Sequence, residues 1–239
     1  MQNALGKLYL IPTTLGDNAN PLEVLPISIK NTIEHLNTFI VENEKTARRF
    51  IKKITPEKAQ PSLKIFHLNK FTEASDLPTF LEPCLQGIDV GLLSEAGCPS
   101  VADPGSDIVK IAHLQNIQVV PLVGPSSILL ALMSSGMNGQ GFAFNGYLPI
   151  DKHERKHELK RLERLSSDHN QSQIFIETPY RNNKMLDDIC NTLSPSTLVC
   201  IACDITLPSE FIKTKTASEW RKNTEDLHKR PSIFIIHKH

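Results

Sequence analysis

The sequence has no excess of charge of either sign. Its 26 basic residues are balanced by 26 acidic ones, so no global field draws it to nucleic acid, and any such attraction must come from local patches. Long apolar runs are missing, and no stretch approaches the roughly 20 residues of a membrane span. The start lacks a basic region followed by an apolar one, so no signal peptide is expected. The five cysteines, at 84, 98, 190, 200 and 203, are scattered and odd in number. No pair has zinc-ligand spacing. Cys200-Ile201-Ala202-Cys203 lies inside an apolar, strand-like run, which favours buried thiols over a redox couple. A reducing compartment, and a soluble cytoplasmic protein, are the expectations. There is no carboxylate cluster with ligand spacing, no phosphate-binding P-loop and no G-x-G-x-x-G after the first strand. No metal site is expected, and nucleotide hydrolysis and dinucleotide redox chemistry are disfavoured. No internal repeat or low-complexity segment is visible.

What is present is a set of strand-end loops. Leu92-Leu93-Ser94-Glu95-Ala96-Gly97-Cys98-Pro99-Ser100-Val101-Ala102-Asp103-Pro104-Gly105 runs from an apolar strand through small residues into a helical pattern. Ligands of open parallel sheets sit in loops of this kind, outside the carboxyl ends of strands. Ser94, Ala96 and Gly97 keep the loop slim, so a ligand can approach the backbone. The following helix offers free N–H groups near the same place. Residues 119–127 repeat the arrangement with Gly124-Pro125-Ser126-Ser127, where Pro125 and Ser127 suit a helix start. Pro12-Thr13-Thr14-Leu15-Gly16 ends a third short strand. Each loop alone is compatible with a plain turn; three together suggest a shared cofactor cleft.

Strand-like and helical patterns alternate. Strands are expected at 7–11, 38–41, 64–67, 90–93 and 118–121, and helices at 26–36, 43–53, 72–86 and 107–115. This alternation argues for α/β architecture with a mainly parallel first sheet. After a helix at 128–134, strands are expected at 142–144, 173–177, 197–204, 211–216 and 232–237, with helices at 152–165, 184–193 and 217–223. The second half is richer in strand, and part of its sheet should be antiparallel. The expected domains are residues 1–121 and 122–239.

Several clusters could carry chemistry. Lys45, Arg48, Arg49, Lys52 and Lys53 fall on one helix face, opposite Ala47, Phe50, Ile51 and Ile54. This is either a phosphate-tracking stripe or a solvated amphipathic face; Glu42 and Glu44 lie in the loop before it. The helix at 152–165 carries Lys152, Arg155, Lys156, Lys160, Arg161 and Arg164 with His153 and His157, offset by Asp151, Glu154, Glu158 and Glu163. Glu177-Thr178-Pro179-Tyr180-Arg181 ends a strand; Arg181 could anchor an anion and Tyr180 could stack on a ring. A structural turn with a capped helix is the alternative there. Asp204, Glu210 and His67 are weaker candidates at strand ends.

The segments 8–16, 93–105, 121–127 and Phe144-Asn145-Gly146-Tyr147-Leu148-Pro149 resemble, in order, the tetrapyrrole methylase superfamily. They are most similar to its branch that 2′-O-methylates small-subunit ribosomal RNA. Glu177-Thr178-Pro179-Tyr180-Arg181 looks like that branch's Glu-Ser-Pro-His-Arg. The resemblance implies two α/β domains, the second with a mixed sheet, S-adenosylmethionine in the cleft between them, and a homodimer. By position, Pro12, Ser94, Ala96, Gly97, Val101, Gly124, Ser126 and Ser127 would hold the cofactor. The helix at 152–165 would help hold RNA, with ribosomal RNA or the small ribosomal subunit as partner. Where the family reads Ala-Glu-Asp-Thr-Arg, this chain has Val41-Glu42-Asn43-Glu44-Lys45, and Thr14 replaces a proline in the first loop.

The activity expected is S-adenosylmethionine-dependent methyl transfer. A hydroxyl nucleophile needs a proton acceptor within reach; Glu42 is the first candidate and Glu95 the alternative. Lys45, Arg48 and Arg181 would orient phosphates, and Tyr180 would lie against a base. Two rivals stand beside this reading: an enzyme of the same fold acting on a small molecule such as a tetrapyrrole precursor, and a cofactor- or RNA-binding protein without turnover.

Overall fold

The structure, a computed structural model, describes residues 4–17, 20–69, 71–222 and 225–239. It comprises two compact units, Met1–Ser126 and Ser127–His239. The first unit therefore runs a few residues past the boundary near Leu122 and keeps the third loop, up to Ser126, with the strand that feeds it.

The first unit contains β1 (Leu8–Ile11), β2 (Thr38–Val41), β3 (Lys64–His67), β4 (Val90–Leu93) and β5 (Val119–Pro121). They form one sheet of order β3-β2-β4-β1-β5, with every pairing parallel. Side chains alternate between its faces. Ile11, Phe39, Val41 and Leu93 enter a core with α2 (Ile27–His35) and α3 (Glu44–Ile54). Leu8, Ile40, Val90 and Leu92 enter the opposite core with α4 (Glu82–Leu85) and α5 (Gly105–Leu114). Burial on both faces explains why Phe39–Val41 of β2 and all of β4 are apolar. Ile11, Ile29, Ile33, Phe39 and Ile51 are fully enclosed, each contributing on the order of 2 kcal/mol by leaving water. A short α1 (Pro21–Val24), capped by the side chain of Asn20, follows the first loop.

The expected helix at 72–86 is corrected to a 3-10 segment, Leu77–Leu81, followed by the one-turn α4. Pro78 and Pro83 each remove a backbone donor, and the α-helical ladder cannot run through them.

The second unit contains α6 (Ser127–Ser135), β6 (Phe142–Tyr147), α7 (Lys152–His169), β7 (Ser172–Ile176), α8 (Asn182–Thr192), β8 (Leu198–Cys203), β9 (Phe211–Thr216), α9 (Ala217–Lys222) and β10 (Ser232–His237). The sheet order is β6-β7-β10-β8-β9. Only β6–β7 is parallel; the three other pairings are antiparallel. Leu159, Leu162, Met185, Ile189 and Trp220 pack from α7, α8 and α9 onto Phe175, Val199, Ile201 and Phe234. Helix α6 covers β8, β9 and β10. β6 runs past the expected 142–144 because a bulge between Phe144 and Tyr147 lets pairing resume, with Gly146 at φ +62°. α7 outruns its expected end at 165 and stops at Asn170, whose left-handed φ of 48° breaks the helix. Residue 223, at the end of the expected helix at 217–223, lies outside the described residues.

Cys84, Cys190, Cys200 and Cys203 are buried free thiols. Burial raises the pKa of each, that of Cys84 to about 11. Among the described residues, no helix is long and apolar enough to cross a membrane and no group of side chains is arranged for a metal ion.

Arg155, counted above with the charged face of its helix, is instead buried. Its Nε and Nη2 donate to Asp188 Oδ2 at 2.9 and 2.5 Å, and Nη1 donates to the carbonyls of Pro149 and Ile150 at 3.1 and 2.6 Å. This pair fixes α7 to α8 and to the segment before α7. Removing one partner of a buried pair strands the other charge. Asp188→Ala should therefore cost about 3–5 kcal/mol, read as a large fall in melting temperature. Replacing both residues with apolar ones should recover most of it.

Candidate active site

The three strand-end loops are locked together at the carboxyl ends of β1, β4 and β5. Thr13 N donates to Gly97 O at 3.0 Å. The Thr13 hydroxyl lies 3.3 Å from Ser94 O and 3.4 Å from Ser94 Oγ, and Ser94 Oγ donates to Gly97 O at 2.6 Å. Gly97 has φ +72°, and an added Cβ would lie 3.0 Å from Leu15 Cδ2 and 3.2 Å from Pro125 O. A Cβ on Gly124 would lie 2.2 Å from Pro12 Cβ. The Cys98 thiol adds a weak bond to Pro125 O at 3.5 Å. The second loop is further shaped by Ser100 and Ala102, at φ 67° and 61°, a backbone region unfavourable for side-chain-bearing residues. The Asp103 carboxylate offsets this by accepting from Ser100 N and Gly105 N, both at 2.8 Å.

The residues expected at the cofactor thus divide. Pro12, Ser94, Gly97 and Gly124 build the lock, and the Ser94 hydroxyl is already engaged within it. Ala96 and Val101 are exposed, Ser126 is partly covered at the end of the third loop, and Ser127 opens α6.

Three carboxylates gather beside this lock. Glu42, just past β2, is half-buried. Burial is the main cause that raises its pKa, the charges of Asp103 and Glu95 raise it further, and the Glu95 backbone N–H works the other way. Burial likewise raises Asp103 against its two backbone donors. Glu95 is exposed, and its Oε1 accepts from Thr46 Oγ1 at 2.6 Å. Glu95 and Thr46 line a cavity of about 260 Å³ with Thr13, Thr14, Arg49 and Lys53; Glu42 is not among its lining residues.

Helix α3 starts at Asn43, whose side chain accepts from Lys45 N and Thr46 N. Of the basic face expected on it, Arg48 is tied to Glu44 at 2.6 Å and to Gln60 O at 2.5 Å. Lys52 is bound to Pro56 O, and Arg49 to Asp17. Lys45 remains exposed. The face is therefore less free than its spacing implies. Glu44 lies at i−4 to Arg48 and also meets His67 at 3.2 Å. The sequence reading missed Thr46 and the link to Asp17. A hydroxyl three residues past a capping Asn was visible, but its partner 49 residues away was not.

In the second unit, Arg181 Nη2 donates to the buried Glu177 at 2.6 Å, so the expected anion anchor already holds a carboxylate. Tyr180 is 70% exposed and meets His228 edge-on. On α7, His153, His157, Lys160 and Arg164 occupy one arc of the helix surface away from Leu159 and Leu162, with Lys152 and Lys156 nearer its packed side. Arg161 instead pairs with Glu158 at 2.6 Å.

No family model matches the chain. In solved structures, it is similar to the methyltransferase CobJ, with a TM-score of 0.65 at 16% identity over 98% of this chain and 94% of that one. It is also similar to uroporphyrin-III C-methyltransferase from Thermus thermophilus, described as complexed with S-adenyl homocysteine, with a TM-score of 0.60 at 14% identity over 98% of each chain. In sequence, it is 28% identical over 98% of its length to ribosomal RNA small subunit methyltransferase I of Buchnera aphidicola subsp. Schizaphis graminum, covering 79% of that protein. It is 29% identical over 99% of its length to the protein of the same name from Escherichia coli O157:H7, again covering 79%. The chain has the tetrapyrrole methylase fold and, by its sequence, is a methyltransferase. The loop lock, the carboxylate group and the cavity all lie in the first unit of this methyltransferase.

Two outcomes follow from this geometry. Gly124→Ala drives a methyl group into Pro12 and should cost about 1–3 kcal/mol by overpacking, read by thermal melting. Glu42 binds its proton more tightly folded than unfolded. The stability this gives is complete below the unfolded pKa and is lost as pH rises through the folded one. Glu42→Gln should therefore raise the melting temperature at pH 7–8, and the gain should vanish near pH 4.

Proposed function

We propose that this methyltransferase transfers a methyl group from S-adenosylmethionine to a ribose 2′-hydroxyl of small-subunit ribosomal RNA. The likeness over 98–99% of the chain to relatives named for ribosomal RNA small subunit methylation carries the reading. The cofactor would lie against the locked loops, at Ala96, Gly97, Val101, Gly124, Ser126 and Ser127. The loops fit such a group: Ala96 is exposed, Gly124 is only partly covered, and Ser100 Oγ is buried with no hydrogen-bond partner among the described residues. When bound, S-adenosylmethionine supplies a methyl group already activated by its sulfonium.

The chain's own tasks are alignment and proton removal. Glu95, exposed at the cavity and held by Thr46, takes the hydroxyl proton. Glu42 behind it, with its raised pKa, sets the charge that Glu95 faces. The basic arc of α7 and exposed Lys45 hold RNA phosphates, and Tyr180 offers a ring to a base. The protein acts in the cytoplasm, which its scattered, unpaired cysteines suit, and as a homodimer, as the resemblance implies; its mass in solution tests the dimer.

The deciding experiment supplies tritiated S-adenosylmethionine and the purified protein to 30S subunits, total RNA and small-molecule extract from a strain lacking the gene. Label in ribosomal RNA is expected. Label confined to small molecules would select a tetrapyrrole-like substrate, and binding of cofactor without transfer would select a non-catalytic protein. Within the RNA reading, Glu95→Gln should lower kcat by about 10²–10⁴-fold. Thr46→Val should lower it less, and Thr46→Ser should restore it.

A further inference from the structure

The cavity beside Glu95 contains more than a carboxylate. Along α3, Thr46, Arg49 and Lys53 follow one another at i, i+3 and i+7 and all three line it. Arg49 and Lys53 thus stand roughly 4.5 and 10.5 Å along the helix axis from the residue that holds Glu95. Both cations converge on Asp17. Arg49 Nη2 lies 3.0 Å from each of its carboxylate oxygens, and Lys53 Nζ donates to its backbone carbonyl at 2.8 Å. The Asp17 side chain is 75% exposed and that of Arg49 49%, so the pair is solvated and holds weakly. The Thr13 and Thr46 hydroxyls on this wall already donate to Ser94 O and Glu95 Oε1, which leaves Arg49 and Lys53 as its main anion-binding donors; among the described residues the one aromatic lining the cavity, Phe50, belongs to the core. Such a wall offers a sugar-phosphate much to bind and a base no exposed ring to stack on.

We propose that Arg49 and Lys53 form a phosphodiester subsite for the RNA strand, next to the nucleotide whose hydroxyl faces Glu95. Asp17 is the internal anion that occupies this subsite until RNA displaces it. This rests on the RNA reading above and adds to it a substrate contact different from Lys45 and Arg48. The logic is charge exchange. With Asp17 in place the two cations are partly neutralised. When a phosphate replaces it, the cations keep an anionic partner and the Asp17 carboxylate turns to water, where it is already mostly exposed. Because α3 also carries Thr46, a phosphate seated on Arg49 fixes the strand relative to Glu95 through one rigid helix.

The test uses steady-state methylation of 30S subunits by the full chain, with cofactor affinity measured separately by calorimetry. Arg49→Gln with Lys53→Gln is expected to raise KM for the subunit at least tenfold, with a much smaller change in kcat and an unchanged cofactor Kd. The dependence of log kcat/KM on log salt should become shallower by about one. Arg49→Lys should retain part of the effect. Asp17→Asn should lower KM severalfold, a gain that misfolding cannot produce. Wild-type methylation of 30S with an unchanged KM and salt slope in the double variant would overturn the subsite and leave the RNA reading standing. Absence of 30S methylation by the wild type would instead overturn the RNA reading, and the subsite with it.

Discussion

The contact on which the site depends is that of Gly124 with Pro12. No side chain fits between them, because even a methyl group on Gly124 would meet the proline ring at 2.2 Å. This close approach brings the loop after β5 against the loop after β1, and Gly97 admits Leu15 and Pro125 O on its other side. The strands themselves are only three or four residues long, so they do little to set where their loops end. Loop-to-loop packing does that instead, and the hydrogen bonds of Thr13 and Ser94 close it from within. Slim residues at strand ends thus serve structure first: the loops meet, and their backbone is what remains for a ligand.

The same lock explains the electrostatics. Burial is the main cause of the raised Glu42 pKa, and by holding the second loop near the end of β2 the lock places Asp103 and Glu95 close enough to raise it further. Three carboxylates in one neighbourhood would repel one another unless some were protonated, buried on donors or paired. Each has a different answer. Asp103 accepts two backbone N–H groups that work against the rise burial gives its pKa, Glu95 accepts a threonine hydroxyl, and Glu42 has a raised pKa with burial as its main cause. The exposed member with a single hydroxyl partner is the one left open to a substrate.

Much of this was legible in the sequence. Strand-to-loop transitions at residues 11, 93 and 121, the alternation of elements and the apolar face of α3 come from local pattern, and all place the loops correctly on one sheet. What local pattern does not carry is pairing at a distance. Arg49 finds Asp17, 32 residues earlier, and Arg155 finds Asp188, 33 residues later. Both residues were counted as surface charge because a helical wheel shows which way a side chain faces and not what meets it. The pairing of Arg48 with Glu44 is within reach of the sequence, since i,i+4 spacing predicts it. In 72–86 the apolar spacing outweighed two prolines, although their missing donors decide the geometry.

The segment 41–45 shows how a departure from a family pattern can be read physically. The capping position of α3 is Asn43, where the pattern has Asp. Both side chains accept the N–H groups of the first helical turn, so the cap survives the exchange. What changes is charge: Asn43 adds no fourth carboxylate to Glu42, Glu95 and Asp103. The next residue, Glu44, does bring one, but Arg48 and His67 draw it away, and Arg48 holds its pKa below the ordinary value. The helix thereby keeps its start while its acidic residue faces β3 rather than the cavity. Of the two carboxylates at the cavity, Asp17 is held by Arg49 and Glu95 only by a hydroxyl, and that pairing of a base with an anion-binding wall is what a hydroxyl on a phosphodiester chain requires.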